Sequence, residues 1–389
     1  MATSPRPFYS PSRPQRRYDR SVRTGEAGPC DERVEAIHRN GIVVDFCTNL
    51  LTESVLRAVD DYRAGGVHLV SQSIDPPWRL SVHARPHLDL IPDPHTALRT
   101  VAWVRRLVQE HEDLAFVESV DNVRAAKAAG RLAVMLHSQN ATQFGFDLDL
   151  VAELYAAGLR VSGLAYNVRS LAADGCIEES NAGLSRFGRA VINEMNRVGM
   201  VVDGSHVGER STLEAMDVSE APVVFSHNGC KAVREHPRNL TDEQLRRCAE
   251  TGGVIGIFAI PTFLSDEPLP GMEAFLAHVL HAIEVAGVEH VGLGLDYWFG
   301  MDPYIDYEWP ALDHGPDDGV SGAIEKHLLW NPGNLGPNNE SPREPVEGIA
   351  SPTDIPNVTA ALLNRGLSPS EASGVMGGNW MRVLESTWR

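Results

Sequence analysis

The feature that most constrains this chain is a rhythm. From residue 41 onward, short runs nearly continuous in apolar residues alternate with longer segments of helical period. The runs fall at 42–44, 67–70, 132–136, 161–165, 200–202, 222–225, 254–258 and 290–294. Between them, 147–157, 188–198, 242–251 and 272–286 carry apolar residues at spacings of three and four, which predicts helices. Thr241 to Gln244 (TDEQ) reads as a capping box at the start of one of them. Strands apolar along their whole length belong to a parallel sheet covered on both faces. Eight strand–helix units predict an α/β fold of the TIM type, a (β/α)8 barrel. The alternative, a doubly wound open sheet, lacks the GxGxxG expected after the first strand.

Two segments break the rhythm. Residues 1–35 form a Pro- and Arg-rich arm with too little apolar surface to offset its ordering entropy, and are expected to be flexible. The barrel is assigned to 36–389. It includes a loop insertion at 298–350, dense in Pro, Gly and Asn, whose Trp298, Trp309 and Trp330 suit a substrate wall or a subunit interface. A last helical stretch runs over 368–387. The net charge of −18 argues against a nucleic-acid partner. Five cysteines without a CxxC, and no apolar stretch long enough to span a bilayer, lead us to expect a reducing, cytoplasmic setting and no membrane.

In such a barrel, chemistry gathers where strands end. Cys47 and Asn49 follow the first run, His137, Gln139 and Asn140 the third, Tyr166 and Asn167 the fourth. His206 follows the fifth, His227 the sixth and Asp296 the last. Two imidazoles and a carboxylate from different strands suit a borderline cation such as zinc. The expected chemistry is hydrolysis by a cation-activated water, with Asp296 as the base.

The series GLSRFGRAVINEMNRVGMVVDGSHVG, PVVFSHNGCKAVREHPRNLTDEQL, GGVIGIF, EHVGLGLDY and GLSPSEASGVMGGNWMRVL resembles the membrane (renal) dipeptidases, peptidase family M19, of the amidohydrolase-type barrels. The resemblance runs from about residue 40 to the C-terminus. It implies a metal-dependent hydrolase of a dipeptide or similar small carboxylate-bearing amide, and a homodimer. His206 and His227 match the two His of the family's second zinc, Asp296 matches its strand-8 Asp, and Arg238 matches the Arg that holds the substrate carboxylate. Elsewhere the pattern departs. The family's His-x-Asp pair falls on Cys47 and Asn49, its bridging Glu on Gln139, and its strand-4 His on Tyr166.

One zinc per chain is therefore expected, on His206 and His227, with the Gln139 carbonyl and water completing the shell. Cys47 and Cys176 are further candidate sulfur ligands; Cys176 lies in a DGC-x-E loop, with Glu178 and Glu179, that resembles a branch of the family lacking the His-x-Asp pair. Arg238, Tyr166 and Asn167 are the expected substrate contacts. His68 reads as a core residue, His137 as structural, and His236 as orienting the turn before Arg238. The alternatives are a non-hydrolytic single-metal enzyme, such as a decarboxylase or lyase, and a pseudoenzyme that has lost the binuclear site.

Overall fold

The computed structural model describes residues 28, 30–48, 56–74, 94–267, 269–296 and 345–389. The arm up to residue 27, Asn49, and insertion residues 298–344 with Trp298, Trp309 and Trp330 lie outside the described residues.

A helix, α1 (Glu32–Asn40), comes first, its N-terminus capped by the Asp31 side chain. The alternation then proceeds as β1 (Val44–Thr48), α2 (Leu56–Ala64), β2 (Leu69–Ser73), α3 (Pro94–Glu110), β3 (Leu114–Phe116), α4 (Val120–Ala128) and β4 (Leu132–Ser138). It continues with α5 (Asp149–Ala157), β5 (Leu159–Gly163), α6 (Arg186–Val198), β6 (Val201–Asp203), α7 (Glu209–Val218) and β7 (Val223–Asn228). The last units are α8 (Asp242–Glu250), β8 (Ile255–Ile257), a short α9 (Pro261–Leu264), α10 (Met272–Ala286) and β9 (Val291–Leu293), followed by α11 (Ile355–Asn364). The capping box predicted at Thr241–Gln244 is present at the head of α8. The tail expected as one helix is two, α12 (Pro369–Ser373) and α13 (Asn379–Thr387), parted by a wide turn over Gly374–Gly378.

Eight parallel strands pair in the order β1-β2-β4-β5-β6-β7-β8-β9. The sheet nearly closes on itself where the Asp296 N–H donates to Cys47 O at 3.2 Å and the Leu295 N–H to Asp45 Oδ1 at 2.7 Å. This is the predicted α/β barrel. β3 is an addition to it. It pairs with Leu132–Val134 of β4, on the edge that β5 uses further along at Leu136–Ser138. It is not among the eight predicted runs.

Strand alternation separates two apolar regions. Leu132, Val134 and Leu136 join the layer between strands and helices. Val44, Phe46, Leu69, Ala133, Met135, Val161, Val201 and Val224 join a second cluster with Trp380, Met381, Val383 and Leu384 of α13. That second cluster is the barrel interior. Trp380 stacks on Phe46 at 3.7 Å and donates its indole N–H to Leu293 O at 3.0 Å. The turn before it packs at Gly377 on Ile42 O, ahead of β1, so α13 fills the N-terminal end. Two residues further along the inward positions come Ser71, His137, Asp203 and Ser226, all buried. The interior thus changes from apolar to polar toward the C-terminal mouth.

Candidate metal centre

The polar layer aims two imidazoles. Asp203, at the end of β6, is fully buried; its Oδ1 accepts the Ser205 and Ser226 N–H groups, each at 2.9 Å. Its Oδ2 accepts the Ser226 hydroxyl at 2.5 Å. With that proton committed, Ser226 Oγ accepts from His227 Nδ1–H at 2.7 Å. His206 sits on the loop after β6, where its Nδ1–H donates to Asn167 Oδ1 at 2.7 Å. Its Nε2 accepts from Arg238 Nη2 at 3.3 Å, which fixes the same tautomer independently. Both imidazoles therefore carry an unprotonated Nε2, that of His206 facing the Arg238 guanidinium, and the two Nε2 atoms lie 2.8 Å apart. Two lone pairs at that distance repel unless a positive charge is shared between them.

A proton is poorly suited to that place. Burial holds His206 and His227 well below the usual histidine range, and the Arg238 guanidinium lowers both further. Neutral imidazole is the form a metal takes. On the facing wall, Cys47 of β1 donates its S–H to Asp296 Oδ1 at 3.6 Å. The donor atoms of Cys47, His227 and Asp296 all lie within 4.8 Å of one another, and all three residues are buried. Burial, with Asp296, Asp45 and Asp203 nearby, raises the Cys47 thiol well above its ordinary value. The residues present fit a divalent cation.

Arg238 enters from the loop after β7 and is 4% exposed. Asn228 Nδ2 donates to its carbonyl at 2.8 Å, and its own N–H donates to His236 Nδ1 at 3.1 Å. Its guanidinium donates from Nη2 to His227 O at 3.2 Å, while Nη1 is buried without a hydrogen-bond partner among the described residues. Phe258 and Phe263 flank it at 5.8 and 5.9 Å. Tyr166 stacks on His206 with ring centroids 4.1 Å apart.

The remaining expected site residues are placed as follows. Gln139 is buried just past β4. Asn167, assigned from sequence to the substrate, gives its Oδ1 to His206 and also accepts the Cys176 S–H at 3.4 Å. Cys176 is tied by its N–H to His206 O at 2.8 Å, and burial pushes its thiol up to about 11. It stands behind His206, outside the Cys47–His227–Asp296 group. Glu178 belongs to the same loop, its Oε1 accepting the Arg169 N–H at 2.7 Å. His137 faces inward, its Nδ1 2.9 Å from Ser71 Oγ and its buried Nε2 without a hydrogen-bond partner among the described residues. Sequence reasoning gave no role to Asp203 or Ser226. The only signal was their place in the DGSH and FSHN segments, beside each imidazole.

Polar donors at one end and a packed apolar plug at the other place the molecule among the (β/α)8 barrels whose mouth is furnished for a cation. The model of the membrane dipeptidases, peptidase family M19, matches residues 32–306. Dipeptidase tcpJ of Claviceps purpurea is 30% identical over 285 residues, covering 72% of this chain and 57% of that protein. An uncharacterized dipeptidase of Schizosaccharomyces pombe, C3A11.10c, is 30% identical over 260 residues, covering 66% of this chain and 53% of that protein. The chain thus spans little more than half the length of these curated relatives. Among solved structures, an amidohydrolase from Pseudomonas aeruginosa superposes with a TM-score of 0.75 at 26% identity, covering 91% of this chain and 99% of that one. A metallopeptidase from Rhodobacter sphaeroides has a TM-score of 0.68, covering 90% of this chain and all of that one; at 22% identity it bears on the fold alone. The chain belongs to the membrane dipeptidase family. Among the described residues, no helix is long and apolar enough to cross a membrane.

Proposed function

We propose that the chain is a hydrolase of the dipeptidase type, cleaving a dipeptide or similar small amide that carries a carboxylate, with one divalent cation, zinc, per chain. The observation that carries the reading is the pair of unprotonated Nε2 atoms 2.8 Å apart, with the His227 ring beside the buried Cys47 and Asp296. His206 and His227 would hold the cation. When bound, it supplies a water of lowered pKa and polarises the scissile carbonyl. Asp296 is the base that takes the proton of the attacking water and delivers it to the leaving amine. Arg238, with Nη1 uncommitted, receives the substrate carboxylate. Tyr166, fixed by its stack on His206, offers its hydroxyl to the oxygen that gains negative charge. Asn167 and Ser226 hold the imidazoles in the ligand tautomer. The family membership supports the hydrolytic reading over a lyase on the same barrel. A reducing, cytoplasmic setting belongs to the proposal, supported by five free cysteines, as does a homodimer, which rests on the family resemblance.

The test is turnover of a dipeptide panel by the full chain supplied with Zn²⁺, reading release of free amine. Hydrolysis that falls to background in His227→Ala supports the proposal. Full turnover in that variant, or none of the panel cleaved by a zinc-loaded wild type, overturns it.

A further inference from the structure

We infer that Cys47 is a thiolate ligand of the cation, joining His227 on the side of the site that faces Asp296. This rests on the reading above, that the mouth holds one divalent cation, and names the ligand that reading leaves open. The first observation is placement. Among the cysteines, Cys230 and Cys248 are as fully buried as Cys47, but both belong to the apolar layer between strands and helices. Cys47 belongs to neither apolar cluster. It follows inward-facing Phe46, while Thr48 takes a hydrogen bond at 3.1 Å from Tyr62 of the strand–helix layer, and the β1–β2 register shifts between Asp45 and Thr48. That irregularity is what turns a residue out of the barrel alternation. The sulfur meets Asp296 and His227 instead of hydrocarbon.

The second observation is distance. With zinc's ordinary bond lengths and a tetrahedral angle, ligand sulfur and nitrogen stand about 3.5 Å apart, and two nitrogens about 3.3 Å. The two Nε2 atoms are at 2.8 Å, and the Cys47–His227–Asp296 donors lie within 4.8 Å. Side-chain rotation of either residue brings the Cys47 and His227 donors to the sulfur–nitrogen separation. As the sulfur–metal bond forms, the S–H proton leaves to solvent. A sulfur donor also biases the site toward zinc or cobalt and away from magnesium or calcium.

The experiment is optical titration of the full metal-free chain with Co²⁺. The expected result is a visible ligand-field spectrum together with an ultraviolet thiolate-to-cobalt charge-transfer band. The band is lost completely in Cys47→Ser, with the ligand-field bands retained, and is unchanged in Cys176→Ser. A wild-type spectrum with ligand-field bands and no thiolate band overturns the inference and leaves the metal-site reading standing. So does a band that vanishes in Cys176→Ser. A wild-type chain that takes up no cobalt overturns both. The wild-type and Cys176→Ser spectra decide the matter even where Cys47→Ser does not fold.

Discussion

At the scale of single residues, the site is a set of orientations. The residue types were legible: His206, His227, Asp296 and Arg238 each follow a strand, and the strands converge. What the sequence does not display is which way each faces. His206, Asp296 and Asn167 adopt left-handed backbone angles, with φ of 67°, 52° and 58°. That conformation costs about 1–3 kcal/mol at a non-glycine residue and persists only where its surroundings impose it. No local propensity announces it, and the sequence does not display that the Asn167 oxygen turns to His206. Removing the Nδ1 acceptors tests the tautomer argument. Asn167→Ala and Ser226→Ala should each weaken metal binding about 10–100-fold, measured by competition with a chelator. Wild-type affinity in both would show that the imidazoles need no orienting. Arg238→Met should raise KM for carboxylate-bearing substrates about tenfold or more, and change the amide lacking that carboxylate far less. An equal effect on both would remove Arg238 from carboxylate recognition.

At the scale of elements, β1, β2, β4, β6 and β7 end beyond the apolar runs that predicted them. The run at 67–70 overlaps a strand, Leu69–Ser73, that ends three residues beyond it, and the run at 132–136 lies in one that ends at Ser138. The reason is common to both. The last inward positions of each strand belong to the polar layer, so hydrophobicity stops before the hydrogen bonding does. The GLGLD segment shows the reverse dependence, of a site on backbone fit. A Cβ at Gly294 or Gly256 would collide with Ser226 O, one residue before His227. Gly294→Ala should therefore push β7 outward, cost about 1–3 kcal/mol, and reduce metal content. Thermal melting with elemental analysis checks it; wild-type values in both would show that β7 tolerates the displacement.

At the scale of the molecule, an apolar plug from α13 supports a polar mouth, and that order was only half visible. The eight-unit rhythm foretold the barrel, but nothing in the tail pattern foretold that Trp380 would fill the opposite end. Burial also leaves titratable groups spread through the fold. His278 accepts the Cys230 N–H on Nδ1 at 2.8 Å and donates from Nε2 to Leu264 O at 2.9 Å, so it is held neutral, its pKa pulled down by burial to about 4. In the unfolded chain a histidine titrates near 6.5. Between those values the unfolded chain binds the extra proton. The stability this residue contributes is complete above about pH 6.5 and is lost as pH falls toward 4, by on the order of 3 kcal/mol. The stability gap between wild type and His278→Asn should therefore narrow from pH 7 to pH 4.5 in urea unfolding. A gap that stays constant would mean that His278 does not titrate differently in the two states.

The account as a whole turns on a cation shared by His206 and His227. Elemental analysis of the full chain as isolated, beside His227→Ala prepared identically, tests this most directly. One equivalent of a divalent transition metal in the wild type, absent from the variant, is the predicted result. A wild type without metal, or a variant that keeps its full complement, would contradict it.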